Sequence, residues 1–388
     1  MTLLGIAAKN VLRNKFRTFL TIAGGAVAVL AFVLLRTVVD AWYVGVDNAA
    51  TDRLATRHKV SITLTMPKRY IDIVRQMPGV KAATYMNWFG AKDPKDENNF
   101  FANMACDAAS TLEVYPEMIL PQEDRERWLA DKQGAILGDV LARKLKVNVG
   151  DKVTLRGTIY PGDWTFNVSG IYRASQKSLD RSQFFFHWEF LNDSVPERRK
   201  DQIGWMASRI EDPRQSANIS AAIDKVFDEK DQQTATMSEK AMNNSFMATF
   251  SAILTALDIV SFMILVIMMM ILGNTIAMGV RERTTEYGVL RAIGFSPGHV
   301  RAFVLGEALT TGVLTGLVGL AISYPIVQLG MGAWLEENMG SFFPYFRITP
   351  GTAAAGMGLA VALALIASLI PAYKAGQLSV IDALRRVA

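Results

Sequence analysis

The chain has 388 residues, 51% of them hydrophobic, with a formal net charge of +5. That length allows two domains, and the apolar fraction is high for a soluble protein. One cysteine, Cys106, excludes an internal disulfide, and the lack of any Gly-Lys pair excludes a Walker A phosphate loop.

The first 17 residues hold Lys9, Arg13, Lys15 and Arg17 and no acid, so 1–17 is expected to be a basic amphipathic helix. An uncharged run follows from Thr18 to Leu35, and further runs cover Ile259–Val280, Ala308–Leu335 and Ile348–Tyr373. Each is near or above the roughly 18–20 residues that span a hydrocarbon layer, which predicts four transmembrane helices. The first, 18–40, is read as retained and not as a cleaved signal, because its run is long and leads to Arg36 without a small-x-small site.

Residues 41–247 form a large polar segment in which Lys and Arg balance Asp and Glu, so the overall +5 belongs to the rest of the chain. The basic balance therefore reads as membrane topology and not as nucleic-acid binding. The segment opens with an alternating strand, KVSITLT, then Pro67, a helix over RYIDIVRQM and a strand around VKAATYMNWF. A similar order recurs in IGWMASRI, Pro213, a helix through SANISAAIDKVFDEK, and TATMSE. Two such units suggest one split, ferredoxin-like α+β subdomain closed by distant parts of the chain. Between them lies a β-rich insertion with a helix at Asp139–Leu145, a turn at Asn148–Gly150 and two alternating strands. Asp151 is read as turn chemistry.

From Thr236 onward, TMSEKAMNNSFMATFSAILTALDIV is expected to run as one helix, a stalk leading into the second span, 248–280. The loop 281–301 carries Arg281, Glu282, Arg283, Glu286 and Arg291, with Val289, Leu290 and Ile293 as an apolar strip at helical spacing. Its GFSPG matches the G-x-S-x-G nucleophile elbow beside His299, yet Pro297 lacks the N–H that an oxyanion hole needs. Gly294 reads instead as a helix stop, Ser296 as an N-cap and Pro297 as the first residue of the third span, 302–329. An outer loop, 330–350, contains the aromatic SFFPYF, which suits an interfacial belt. The fourth span, 351–375, and a basic tail, 376–388, complete the chain. By the positive-inside rule both termini and the Arg281 loop are cytoplasmic, with 41–247 and 330–350 outside.

The stretch from Arg281 through Glu286, Gly288, Leu290, Arg291, Ile293 and Gly294 to Glu307, followed by Gly312, Gly316 and Gly319, resembles the signature of FtsX-like permeases. These are the membrane subunits of MacB-like, or type VII, ABC transporters, which include lipoprotein-releasing and macrolide-efflux permeases. The NVLRNKFRTFLTIAG entry, the large domain after the first span and GDVLARKLKVNVGDKV extend the resemblance over nearly the whole chain.

What the resemblance implies is a multi-pass permease in the bacterial inner membrane. It would be a non-catalytic subunit, with no cofactor or metal of its own, and ATP and Mg would sit on a cytosolic ATPase supplied in trans. A second permease copy would pair with it, and an adaptor or lipoprotein could join from outside. The loop would then be a coupling helix, with Arg281, Glu282, Arg283, Glu286, Tyr287, Val289, Leu290, Arg291, Ile293 and Gly294 facing the ATPase. The expected role is to pass ATP-driven motion to the outer domain and export or extract a lipoprotein, lipid, peptide or hydrophobic drug. ATP-driven regulation of cell-wall hydrolases and membrane-anchored sensing without transport are the competing readings.

Glu307 is read as stabilising the cytosolic end of its bundle, because acids are cheapest near span ends. Met268–Met270 are read as lipid-facing filler, and Gly312 and Gly316 as sites of close helix packing within one subunit.

Overall fold

The computed structural model describes residues 15–47, 49–96, 101–176, 179–340, 343 and 345–378. Most of the expected N-terminal helix, the end of the tail from 379, and Ser341, Phe342 and Pro344 of the aromatic belt lie outside these residues. The chain divides into two units. One contains the chain up to Asp40, Ala252–Gly332 and the chain from Arg347, and the other contains Ala41–Ser251 and Ala333–Phe346.

Helix α1 spans Lys15–Asp47, longer than the uncharged run because Arg36 and Asp40 are accommodated within it. The outer unit follows. It contains β1 (Arg53–His58), β2 (Met66–Pro67), α2 (Tyr70–Arg75), β3 (Val80–Trp88), β4 (Ala91–Lys92), β5 (Asn103–Cys106) and α3 (Ala108–Val114). Next come β6 (Met118–Ile119), α4 (Gln122–Ala130), β7 (Gly134–Gly138), α5 (Asp139–Leu145), β8 (Lys152–Gly157) and β9 (Gly162–Ala174). The unit continues through β10 (Phe184–His187), α6 (Trp188–Ser194), β11 (Gln202–Ile203), β12 (Trp205–Ile210), α7 (Ser216–Asp228), β13 (Thr234–Ser238) and α8 (Glu239–Thr249).

One sheet runs β13-β1-β12-β3-β5-β10-β7-β9-β8-β4, with β6 added to β9. Its first four strands, β13-β1-β12-β3, are antiparallel and are connected through α2 and α7. This is the split ferredoxin-like arrangement that the two recurring units suggested. The insertion adds parallel pairs, β5 with β10 and β7 with β9. Because side chains alternate across a strand, Phe184 and Phe186 enter one core beside Leu54, Tyr70 and Phe227. Phe185 enters the opposite core beside Met104, Trp128 and Tyr172. All three phenylalanines are buried, so β10 is a central strand covered on both faces.

Two expectations are corrected. The KVSITLT segment is not a strand: Val60, Ile62 and Leu64 are exposed, and the strand lies earlier, at Arg53–His58. Those earlier residues pair with β12 on one side and β13 on the other, so two partners outweigh local alternation. The stalk is also not one helix. It breaks at Phe250 into α8 and α9 (Ser251–Glu282).

Helix α10 (Thr284–Ala292) and α11 (Pro297–Ser323) follow, and α11 continues into a π-helical segment, Tyr324–Gly332, where Pro325 withholds a backbone N–H. A short α12 (Ala333–Asn338) lies in the stretch expected as an outer loop, and α13 covers Pro350–Gly376. Of this stretch, residues 333–340, 343, 345 and 346 belong to the outer unit. There Glu336 accepts the Phe346 N–H at 2.9 Å, and Phe343 stacks on Trp42 with ring centroids 5.9 Å apart. The helices from α1, α9, α11 and α13 are long and apolar enough to cross a membrane. Gly312 and Gly316 of α11 face Ala360 and Met357 of α13, so this close packing is within one subunit, as expected.

Candidate functional site

The turn from α9 into α10 needs only one residue, Arg283. Its N–H donates to the Gly279 carbonyl at 3.2 Å, and Tyr287 N–H donates to the Arg283 carbonyl at 3.0 Å. The Thr284 hydroxyl donates back to Arg281 O at 2.9 Å, satisfying a carbonyl at the end of α9. The Arg283 backbone, at φ −103° and ψ 16°, leaves helical geometry, so α10 is a separate short helix.

Its two faces differ. Tyr287 and Gly288 are buried, and Leu290 is partly buried against a cluster containing Val280, Phe303, Val304 and Ala372. On the other face Val289 is 47% exposed and Ile293 68%, with Phe295 just beyond at 38%. Thus the apolar strip divides. Leu290 belongs to the helix packing, whereas Val289 and Ile293 present uncovered apolar surface.

Arg283 lies beneath the helix and forms an ion pair with Glu307 of α11, both side chains largely out of water. Burial first, then the Glu307 carboxylate, push the Tyr287 phenol well above its ordinary pKa, so it stays neutral. Arg281, Glu282 and Glu286 are exposed, and Arg291 is half-buried. Glu282 pairs with Arg17 of α1 at 2.5 Å. Spacing alone does not reveal this contact, because its partners are 265 residues apart.

The helix stop is as expected. Gly294 has φ +103° with open space around it, so its role is conformational. Phe295 N–H donates to Leu290 O at 3.0 Å and Gly294 N–H to Arg291 O at 3.2 Å, the paired bonds of a Schellman stop. Ser296 then caps α11. Its hydroxyl accepts the His299 N–H at 3.3 Å, and its own N–H donates to His299 Nδ1 at 3.2 Å. Ser296 of the elbow-like GFSPG and His299 beside it are thereby both used in capping. Among the described residues no group of three or more His, Cys, Asp or Glu could hold a metal ion.

Residues 18–226, more than half of the chain, match the MacB-like periplasmic core domain, and residues 259–380 match the FtsX-like permease C-terminal domain. The chain belongs to the MacB-like, FtsX-like permeases. The ABC transporter permease YtrF of Bacillus subtilis is 22% identical, over 97% of each chain. An ABC transporter permease of Methanocaldococcus jannaschii is also 22% identical, over 98% of this chain and 96% of its own. The lipoprotein-releasing system transmembrane protein LolC of Neisseria meningitidis is 22% identical over 64% of each. This FtsX-like permease is thus an ABC transporter membrane protein, and the family implies a partner ATPase and a paired permease.

Proposed function

We propose that this permease passes the motion of a separate cytosolic ATPase, which holds the ATP and Mg, to its outer domain through α10. The observation that carries the proposal is the pair of exposed apolar side chains, Val289 and Ile293, on a short helix held by the Arg283–Glu307 pair. An apolar knob set among Arg281, Glu282 and Glu286 has the make-up of a protein contact with a charged rim. Both termini and α10 would then face the cytoplasm. Two permease copies would move together, and closure of their ATPases would be felt in the outer domains. The cargo would be a lipoprotein, lipid, peptide or hydrophobic drug, exported or extracted from outside the inner membrane, with an adaptor or lipoprotein as the outer partner.

The test is purification of the chain from its native membrane beside Ile293→Asp and Val289→Asp. Wild type should bring down a nucleotide-binding subunit with ATPase activity, and each variant should lose it while eluting as a folded protein. If no ATPase accompanies wild type, or both variants retain it, α10 is not the contact. Leu290 is the wrong probe, because it also packs against the helices.

A further inference from the structure

Three ionisable side chains meet at one end of the helical unit, the end where the chain leaves for residues 41–251. Arg36 Nε lies 3.2 Å from Asp40 Oδ1, and Thr352 Oγ1 of α13 donates to the other oxygen, Oδ2, at 2.5 Å. Asp40 is thus held from both sides. Arg36 Nη1 reaches Asp258 of α9 at only 4.0 Å, and the two side chains are 48% and 63% exposed. A contact at that distance leaves donors on the guanidinium and most acceptor positions on Asp258 unused. One positive and one negative group, 4.0 Å apart, stand partly exposed beside each other.

They form the mouth of a groove of about 600 Å³ between α1, α9 and the start of α13. The rest of its wall is largely apolar, with Phe32, Val39, Phe262, Leu265 and Ala355. The sequence order explains the gradient. On α1, Phe32 lies one turn deeper than Arg36, and on α9, Phe262 and Leu265 lie one and two turns deeper than Asp258. A dipolar mouth above an apolar trough matches a molecule with a dipolar head and hydrocarbon chains.

We infer that this groove binds a zwitterionic aminophospholipid, its phosphate on Arg36 and its ammonium on Asp258. Charge selects the class. A purely anionic lipid would meet Arg36 but also two carboxylates, whereas an ethanolamine headgroup brings an ammonium for Asp258 as well as a phosphate for Arg36. Asp40, engaged on one oxygen by Arg36 and on the other by Thr352, positions the guanidinium and does not contact the lipid. The inference rests on these helices crossing a membrane and is independent of whether α10 contacts an ATPase.

The experiment uses the full chain in mild detergent, supplied with equal amounts of phosphatidylethanolamine and phosphatidylglycerol, with retained lipid counted by mass spectrometry after washing. Wild type should retain the ethanolamine lipid with about a fivefold preference, the ratio that a partly exposed ion pair supplies. Asp258→Asn should erase that preference, and Arg36→Gln should lower retention of both lipids. Leu265→Trp, which fills the trough and leaves the charges, should also lower retention, so the reading does not hang on charge variants that fail to fold. Equal retention of the two lipids by wild type, or an unchanged preference in Asp258→Asn, overturns the inference. Soluble glycerophosphoethanolamine should fail to displace the lipid; full displacement would make the occupant a soluble phosphate ester and end the lipid assignment.

Discussion

Arg283 and Glu307 form an ion pair that joins the start of α10 to the first half of α11, and both side chains are largely buried. Charges taken out of water are costly to leave alone, so removing one partner should cost about 3–5 kcal/mol, while replacing both with apolar groups should cost much less. Arg283→Met and Glu307→Met should each lower the melting temperature in detergent, and the double variant should recover most of the loss. Equal, additive losses would show that the two residues do not act as a pair.

Gly312 sits where a Cβ would come within 3.0 Å of the Ala360 carbonyl, the Val361 Cα and the Ala364 Cβ. Two of these are backbone atoms and cannot swing aside, so Gly312→Ala should cost about 1–3 kcal/mol by overpacking. Gly316 meets mainly the flexible Met357 side chain, and Gly316→Ala should be milder. Melting temperatures of the two variants, measured side by side, check the ranking.

His187 is buried in the outer unit, its Nε2–H donating to the Trp128 carbonyl at 2.7 Å. Burial lowers its pKa, outweighing the help from that carbonyl. The unfolded chain, with an ordinary imidazole pKa of about 6.5, therefore binds the proton more readily than the folded one. This contribution to stability is fully present above about pH 6.5 and is lost as pH falls toward the lower folded value. His187→Phe, if it folds, should flatten the stability profile below pH 6.5, read as melting temperature against pH.

Cys106 is fully buried, and burial pushes its thiol up to about 12. A thiol kept protonated and out of contact with solvent is a poor nucleophile. At pH 8 a maleimide should leave the native protein unlabelled and label it once per chain in denaturant. Rapid native labelling would mean that the sheet around β5 opens readily.

The sequence by itself determined the four apolar helices, because a run of about 20 uncharged residues has few other uses. It also determined the second strand-helix-strand unit, the helix and closing strand of the first, and the Gly294–Ser296–Pro297 punctuation, since a positive φ, a side-chain cap and a missing N–H are local properties of those residues. Only the tertiary structure decided which residues those elements would face. The KVSITLT alternation lost to a less apolar strand because that strand had two neighbours to pair with, and pairing depends on segments some 150 residues away. Leu290 and Ile293 looked equivalent at helical spacing, yet one packs inward and the other is exposed, a choice made by where α11 and α13 lie. Arg283 looked like any positive charge beside a span until Glu307 came into contact with it. Burial and ion pairing are properties of neighbours brought together by folding, and a linear pattern carries them only where the neighbours are also close in sequence.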